Sequence, residues 1–139
     1  MNDMQLTEHF RLSEFVKSLT AKARGIDNTP PAEAVENLKH LCDQVLEPLR
    51  AWAGRPVEIS SGYRCRALND AIGGAPYSQH LKGEAADLIV PSESIGLKWY
   101  EYIQKHLPHD QLIWETIYGI CWIHVSCRRD LKRNRKQSW

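Results

Sequence analysis

The chain has few cysteines, Cys42, Cys65, Cys121 and Cys127, and no Cys-x-x-Cys pair among them. That spacing excludes a structural zinc knot and a small disulfide scaffold, both of which need paired thiols, so buried free thiols are expected. An excess of either charge is also missing. With 18 Lys and Arg against 17 Asp and Glu the net charge is +1, too little for a molecule built as a whole around a polyanion. No apolar run approaches the ~20 residues that cross a bilayer, so no membrane insertion is expected. The opening MNDMQLTEHFRLSEFVKSLT lacks the basic start, unbroken apolar stretch and small-residue cleavage site of a secretory signal, and synthesis in the cytoplasm is expected. Repeats and low-complexity stretches are absent too, and 139 residues suit one core with one site.

What is present is the composition of an ordinary globular domain, 42% hydrophobic and 25% charged. The one compositional break comes at the end. Residues 128–139, RRDLKRNRKQSW, carry six Arg and Lys against one Asp, so a single domain over residues 1–127 is expected to end in a basic tail, solvated and frayed, with a patch for an anionic polymer or nucleic acid the alternative. Within the domain, a short helix is predicted near Ser13. After GIDNTPP a long helix opens at Pro31, with Val35, Leu38, Leu41, Cys42, Val45, Leu46 and Leu49 at helical spacing and a kink or an end at Pro48. Residues 57–60 read as a strand and 64–72 as a short helix closed by Gly73-Gly74-Ala75-Pro76. Ala86–Val90 is an apolar strand, and Ser92 is placed to cap a helix carrying Ile95, Trp99, Tyr102 and Ile103. Two strands near 111–117 and 121–127 join around Gly119 as a hairpin. Strands and helices do not alternate regularly, so the fold class is α+β, a small and largely antiparallel sheet flanked by helices.

The candidate chemistry centres on Ser78-Gln79-His80-Leu81-Lys82-Gly83-Glu84-Ala85-Ala86-Asp87. A catalytic zinc takes three nitrogen or oxygen ligands from the protein and leaves a fourth position for water, so His80 and Asp87 need a distant third partner. His124 in Trp122-Ile123-His124-Val125-Ser126 can supply it. Strand alternation puts Cys121, Ile123, Val125 and Cys127 on one face and Trp122, His124 and Ser126 on the other. By chemistry alone, a packed loop histidine and a hydrogen-bonded strand histidine explain these residues equally well. The remaining histidines, His9, His40, His106 and His109, fit no motif and read as surface or helix residues.

Ser-x-His-x-x-Gly-x-Ala-x-Asp followed by Trp-x-His on a strand resembles the signature of the zinc D-Ala-D-Ala carboxypeptidase and dipeptidase family, peptidase family M15. The likeness extends to Ser61-Gly62-Tyr63-Arg64, Leu68-Asn69, Gly73-Gly74 and Asp110-Gln111-Leu112-Ile113, from about Phe10 to Ser126. It is similar above all to the short single-domain branch found in phages and prophages. The resemblance implies one zinc ion held by His80, Asp87 and His124 at the sheet face, and hydrolysis of peptidoglycan peptides; a monomer is expected, and no nucleic-acid partner. It also implies action on the cell wall after phage-type release or as a virion component.

In much of that family a general base stands three positions before the last histidine, where this chain has Cys121. If the hairpin loop is Gly119 and Ile120, Glu115 falls opposite His124 on the same face and could take the role. Glu84, inside the metal loop, is the second candidate. Arg64 is expected to bind a substrate carboxylate or the developing oxyanion. Ser78, Tyr63 and Trp122 are expected to contact substrate or wall the cleft, with simple packing the alternative for the two aromatics. The missing acid leaves a second reading open, a catalytically inactive zinc-containing binding or structural module of the same fold.

Overall fold

The computed structural model describes residues 2–139. Two short helices come first, α1 (Ser13–Val16) and α2 (Leu19–Arg24). The second has no apolar periodicity to announce it; Ser18 Oγ accepts from Ala21 N–H at its start and Gly25 closes it. α3 (Ala32–Leu41) passes through a wide turn, Cys42–Leu46, into α4 (Glu47–Ala53). In that turn the Glu47 N–H reaches back five residues to Cys42 O. The widening comes just before Pro48, whose ring would meet the carbonyl of a regular preceding turn, so the proline loosens the helix without ending it. Leu38, Leu41, Val45, Leu46 and Leu49 form one fully buried stripe along this rod.

β1 (Glu58–Ser61) leads to α5 (Arg66–Ala71), then β2 (Ala85–Ile89), α6 (Glu93–His106), β3 (Gln111–Ile117), β4 (Ile120–Ser126) and β5 (Gln137–Ser138). Ser92 caps α6 as expected, its Oγ accepting from Ile95 N–H. The sheet order is β1-β2-β4-β3-β5, antiparallel throughout except for the last pair. The α+β expectation therefore holds. One face is core: Leu88, Leu112, Ile123 and Val125 are sealed and α6 packs across β3 and β4. Side chains alternate along each strand, so the intervening residues, Asp87, Ile113, Glu115, Trp122 and His124, share the opposite face.

Several sequence expectations need correction. The hairpin turn is Tyr118-Gly119, closed by Ile117 paired with Ile120, one residue earlier than Gly119-Ile120. Both turn residues have positive φ, 49° and 81°, the mirror-image turn whose twist suits a hairpin. His124 is therefore paired with Ile113, and Glu115 with Trp122. The register moves by two, so Glu115 keeps its face but lies diagonal to His124. His109 is buried, 3% exposed, its Nδ1 against Leu107 O at 2.9 Å, and is no surface residue.

The tail, expected to be frayed, is docked. After a tight turn at Leu131–Arg133, β5 adds to the outer edge of β3. Arg135 gives its backbone N–H, Nε and Nη2 to the fully buried Asp110 carboxylate at 2.7, 3.1 and 2.8 Å. Burial would push Asp110 up, but the Arg135 donors outweigh it and lower the carboxyl from 3.8 to about 2. Its folded value lies below the ordinary one, so the stabilisation is present above about pH 4 and lost as pH falls toward 2. Asp110→Asn is expected to cost ~1–2 kcal/mol at pH 7, part of the pairing being screened at the half-exposed Arg135. A urea midpoint that drops at pH 7 and converges with the parent's near pH 2 is the expected pattern; equal midpoints at pH 7 would show that Asp110 does not hold the tail.

Candidate metal centre

His80 sits in a tight turn, Gln79–Lys82, started by Ser78, whose Oγ accepts from His80 N–H at 3.2 Å. Gly83 ends the turn with φ +74°, and a Cβ there would lie 2.5 Å from Ala34 O, so both the backbone sign and the approach to α3 require glycine. Asn37 Nδ2 donates to Lys82 O across the same contact. Asp87 and His124 come from neighbouring strands, directly paired in the β2-β4 register. A distant loop and two strands thus bring the three side chains to one place.

Their donor atoms all lie within 4.8 Å of one another. Asp87 Oδ1 is 3.0 Å from His124 Nδ1 and 3.4 Å from His80 Nε2, and the two rings meet edge to face at 5.1 Å. His80 Nδ1 is 2.6 Å from Gly62 O. A carbonyl only accepts, so that nitrogen carries the hydrogen and Nε2 turns its lone pair toward the Asp87 carboxylate. Two electron-rich atoms at 3.4 Å in a buried pocket call for a positive charge between them, which a metal ion would supply while Gly62 fixes the ring from behind. Gly62 must be small for this, because a Cβ would lie 2.6 Å from Phe15 O of α1. Two imidazoles, one carboxylate and a braced tautomer fit a divalent metal ion. Burial would raise the Asp87 carboxyl, but the hydrogen bond from His124 outweighs it and holds the group below the usual carboxylate range.

Arg64 stands beside this group. Its Nε donates to Ser61 Oγ (3.1 Å), Nη1 to Asn69 Oδ1 (3.2 Å) and Nη2 to Asp87 Oδ2 (3.4 Å). Burial draws the guanidinium below its usual value, opposed by the charges of Asp87 and Glu115. Asn69, fully buried, is a positioning residue that the sequence reading did not assign. Its Nδ2 donates to Ala75 O, and a Cβ on Gly74 would strike its amide oxygen. The motif pairs Leu68-Asn69 and Gly73-Gly74 carried the signal for this brace of Arg64.

The three residues and Arg64 line a cleft of about 750 Å³. Ser78, Trp122, Glu115 and Glu84 line it too; Glu84 Oε1 accepts from Gln79 Nε2 at 3.4 Å. Tyr63 is not brought there: it is packed in the core at 7% exposure, so simple packing describes it. Cys121 faces Thr116 Oγ1 at 3.7 Å, outside the cleft lining, and Cys65 and Cys121 are half-buried where buried thiols were expected. Cys127, His40 and Asn134 also meet, with Sγ 3.9 Å from His40 Nε2 and 3.5 Å from Asn134 Nδ2. Burial pushes that thiol up to about 11, which keeps it protonated at neutral pH and excludes a thiolate nucleophile.

No curated protein matches the chain. A family model described as Peptidase M15 matches residues 8–126.

Proposed function

The chain belongs to the peptidase M15 family, and on that premise we propose that it is a zinc metallopeptidase that cuts D-amino-acid-containing stem or cross-link peptides of bacterial peptidoglycan. The observation carrying this reading is the convergence of His80, Asp87 and His124 within 4.8 Å on the floor of a cleft that also holds Arg64 and two unligated carboxylates. One zinc ion would be held by His80 Nε2, His124 Nδ1 and Asp87 Oδ1. When bound, zinc supplies Lewis acidity, polarising a peptide carbonyl and making water ionisable near neutral pH.

The chain's own residues do the rest. Arg64, held by Ser61 and Asn69, presents a fixed cation to a substrate carboxylate or to the oxygen that gains charge in the transition state. Glu115 takes the proton from the attacking water and returns it to the leaving nitrogen. Ser78 and Trp122 border the substrate. Among the described residues no helix is long and apolar enough to cross a membrane, and the protein acts as a monomer on wall reached after phage-type release or from a virion.

Purified peptidoglycan incubated with the zinc-loaded protein should release peptide fragments identifiable by mass, none with a chelator present, and release should return on adding zinc. The inactive binding module remains the second reading because Cys121 stands where an acid is usual and faces away from the cleft. A folded, zinc-loaded protein that releases no fragment would decide for it.

A further inference from the structure

The family match ends at Ser126, yet two side chains beyond it, Arg128 and Arg135, stand in the wall of the same cleft. One buried acid joins them. Asp110 Oδ2 is 2.8 Å from Arg135 Nη2 and 3.4 Å from Arg128 Nε, and the Asp110 side chain has no exposure. One carboxylate between two guanidinium groups leaves one positive charge over. The donors are left over too: Arg135 uses its Nε and Nη2 on Asp110, while its Nη1 and both terminal nitrogens of Arg128 have no acceptor among the described residues. Arg128 Nε is itself buried without a hydrogen bond. Lys82 adds a third cation beside Arg128 and Glu84 a second carboxylate, so the surplus of one positive charge remains.

Such an arrangement is prepared for an anion. A guanidinium offers a planar fork that matches a carboxylate, and the cost of fixing it is already met here by Asp110 and by β5. The sheet order places Arg64, which follows β1, and Arg135, which precedes β5, on opposite sides of Asp87 and His124. From β4 to β5 is two strand spacings, roughly 10 Å, and Arg135 also lies along the strand direction from His124, two residues before the Gln137 that pairs with Gln111, so several residues of extended peptide bridge the gap. We propose that Arg128 and Arg135 form a subsite for a carboxylate carried by the substrate several residues from the bond that is cut, so that the tail selects acidic peptides. The subsite rests on the peptidase reading for its substrate, while its binding can be measured without turnover.

The test uses the zinc-loaded full chain and two probes, purified peptidoglycan sacculi and the same sacculi with their carboxyl groups amidated. Sedimentation gives binding, and mass spectrometry gives fragment release. The parent should bind native sacculi about tenfold or more tightly than amidated ones. Arg128→Gln, which breaks no hydrogen bond of its side chain to the described residues, should cut that preference several-fold, leaving what Arg64 and Arg135 contribute, and leave binding to amidated sacculi unchanged, with release on native sacculi weakened in KM and not in kcat. Arg135→Lys, which keeps the charge but not the fork, should fall between. Lys105→Gln, an exposed change on α6, should keep the preference intact and so exclude a general charge effect. Equal binding of both sacculi by the parent would overturn the subsite, as would a loss in Arg128→Gln that is the same for both. Preferential binding cut in Arg128→Gln with no fragments from any form would leave the subsite standing and remove the peptidase reading.

Discussion

Asp87→Ala is expected to empty the centre of metal and stop peptidoglycan release, a loss of at least ~10³ in rate, since even outer supports of a metal ligand cost 10–100-fold. Asp87 Oδ1 is close to both rings, and Oδ2 faces Arg64. Without this carboxylate only the two imidazoles are left to hold a cation, and the Arg64 guanidinium beside them, no longer paired with Asp87, would repel it. The readout need not involve catalysis. A ligand that binds only the folded state at a thousandfold its Kd stabilises by ~4 kcal/mol, or about 10 °C in Tm for a domain of this size. The parent should show that rise on adding zinc, with one zinc per chain by elemental analysis; Asp87→Ala should show neither while keeping its far-ultraviolet spectrum. A variant that still holds one zinc with the full thermal shift would mean that the ion is bound elsewhere.

The features legible in the sequence share a cause: each depends on contacts close along the chain or on a period. The buried stripe from Leu38 to Leu49, the Ser92 cap and the two faces of β4 follow from helix and strand geometry. The metal residues were legible only through the motif, because nothing local says that His124 will pair with Asp87 in the strand register. What stayed hidden was decided at a distance. Whether the hairpin turns at Tyr118 or at Gly119 depends on which residue tolerates positive φ, and Gly119 alone pointed one residue too late. A two-residue change in register preserved the face of Glu115, which is why that expectation survived an error that a one-residue slip would have made fatal. The docking of the tail rests on Asp110 and Arg135, 25 positions apart, and a run of basic residues with no apolar period gives no hint of it. Tyr63 stands within the motif segment Ser61-Gly62-Tyr63-Arg64, but its side chain goes to the core while its neighbour Arg64 reaches the cleft.

Glu115→Gln is expected to lower kcat by ~10²–10⁴, the range for a positioned proton acceptor, while leaving zinc content, the zinc-induced rise in Tm and KM nearly unchanged. Glutamine keeps the size and a carbonyl oxygen but cannot take up a proton, so the substitution separates proton transfer from packing. Two acids compete for the role. Glu115 lies diagonal to His124 on the face they share, where Cα atoms are roughly 7–8 Å apart and a long side chain can bridge the gap. Its charge acts on Arg64 together with that of Asp87, which places it in the field of the metal group. Glu84 lies in the loop before β2, with Oε1 engaged by Gln79, so Glu84→Gln is expected to stay within a few-fold of the parent. Cys121→Ala should change little, because its thiol faces Thr116 on the far side of the hairpin. A large loss in Glu84→Gln with an active Glu115→Gln would move the base to the metal loop. Full turnover in both would mean that neither carboxylate carries the proton and that Arg64 and the metal residues work without a side-chain base.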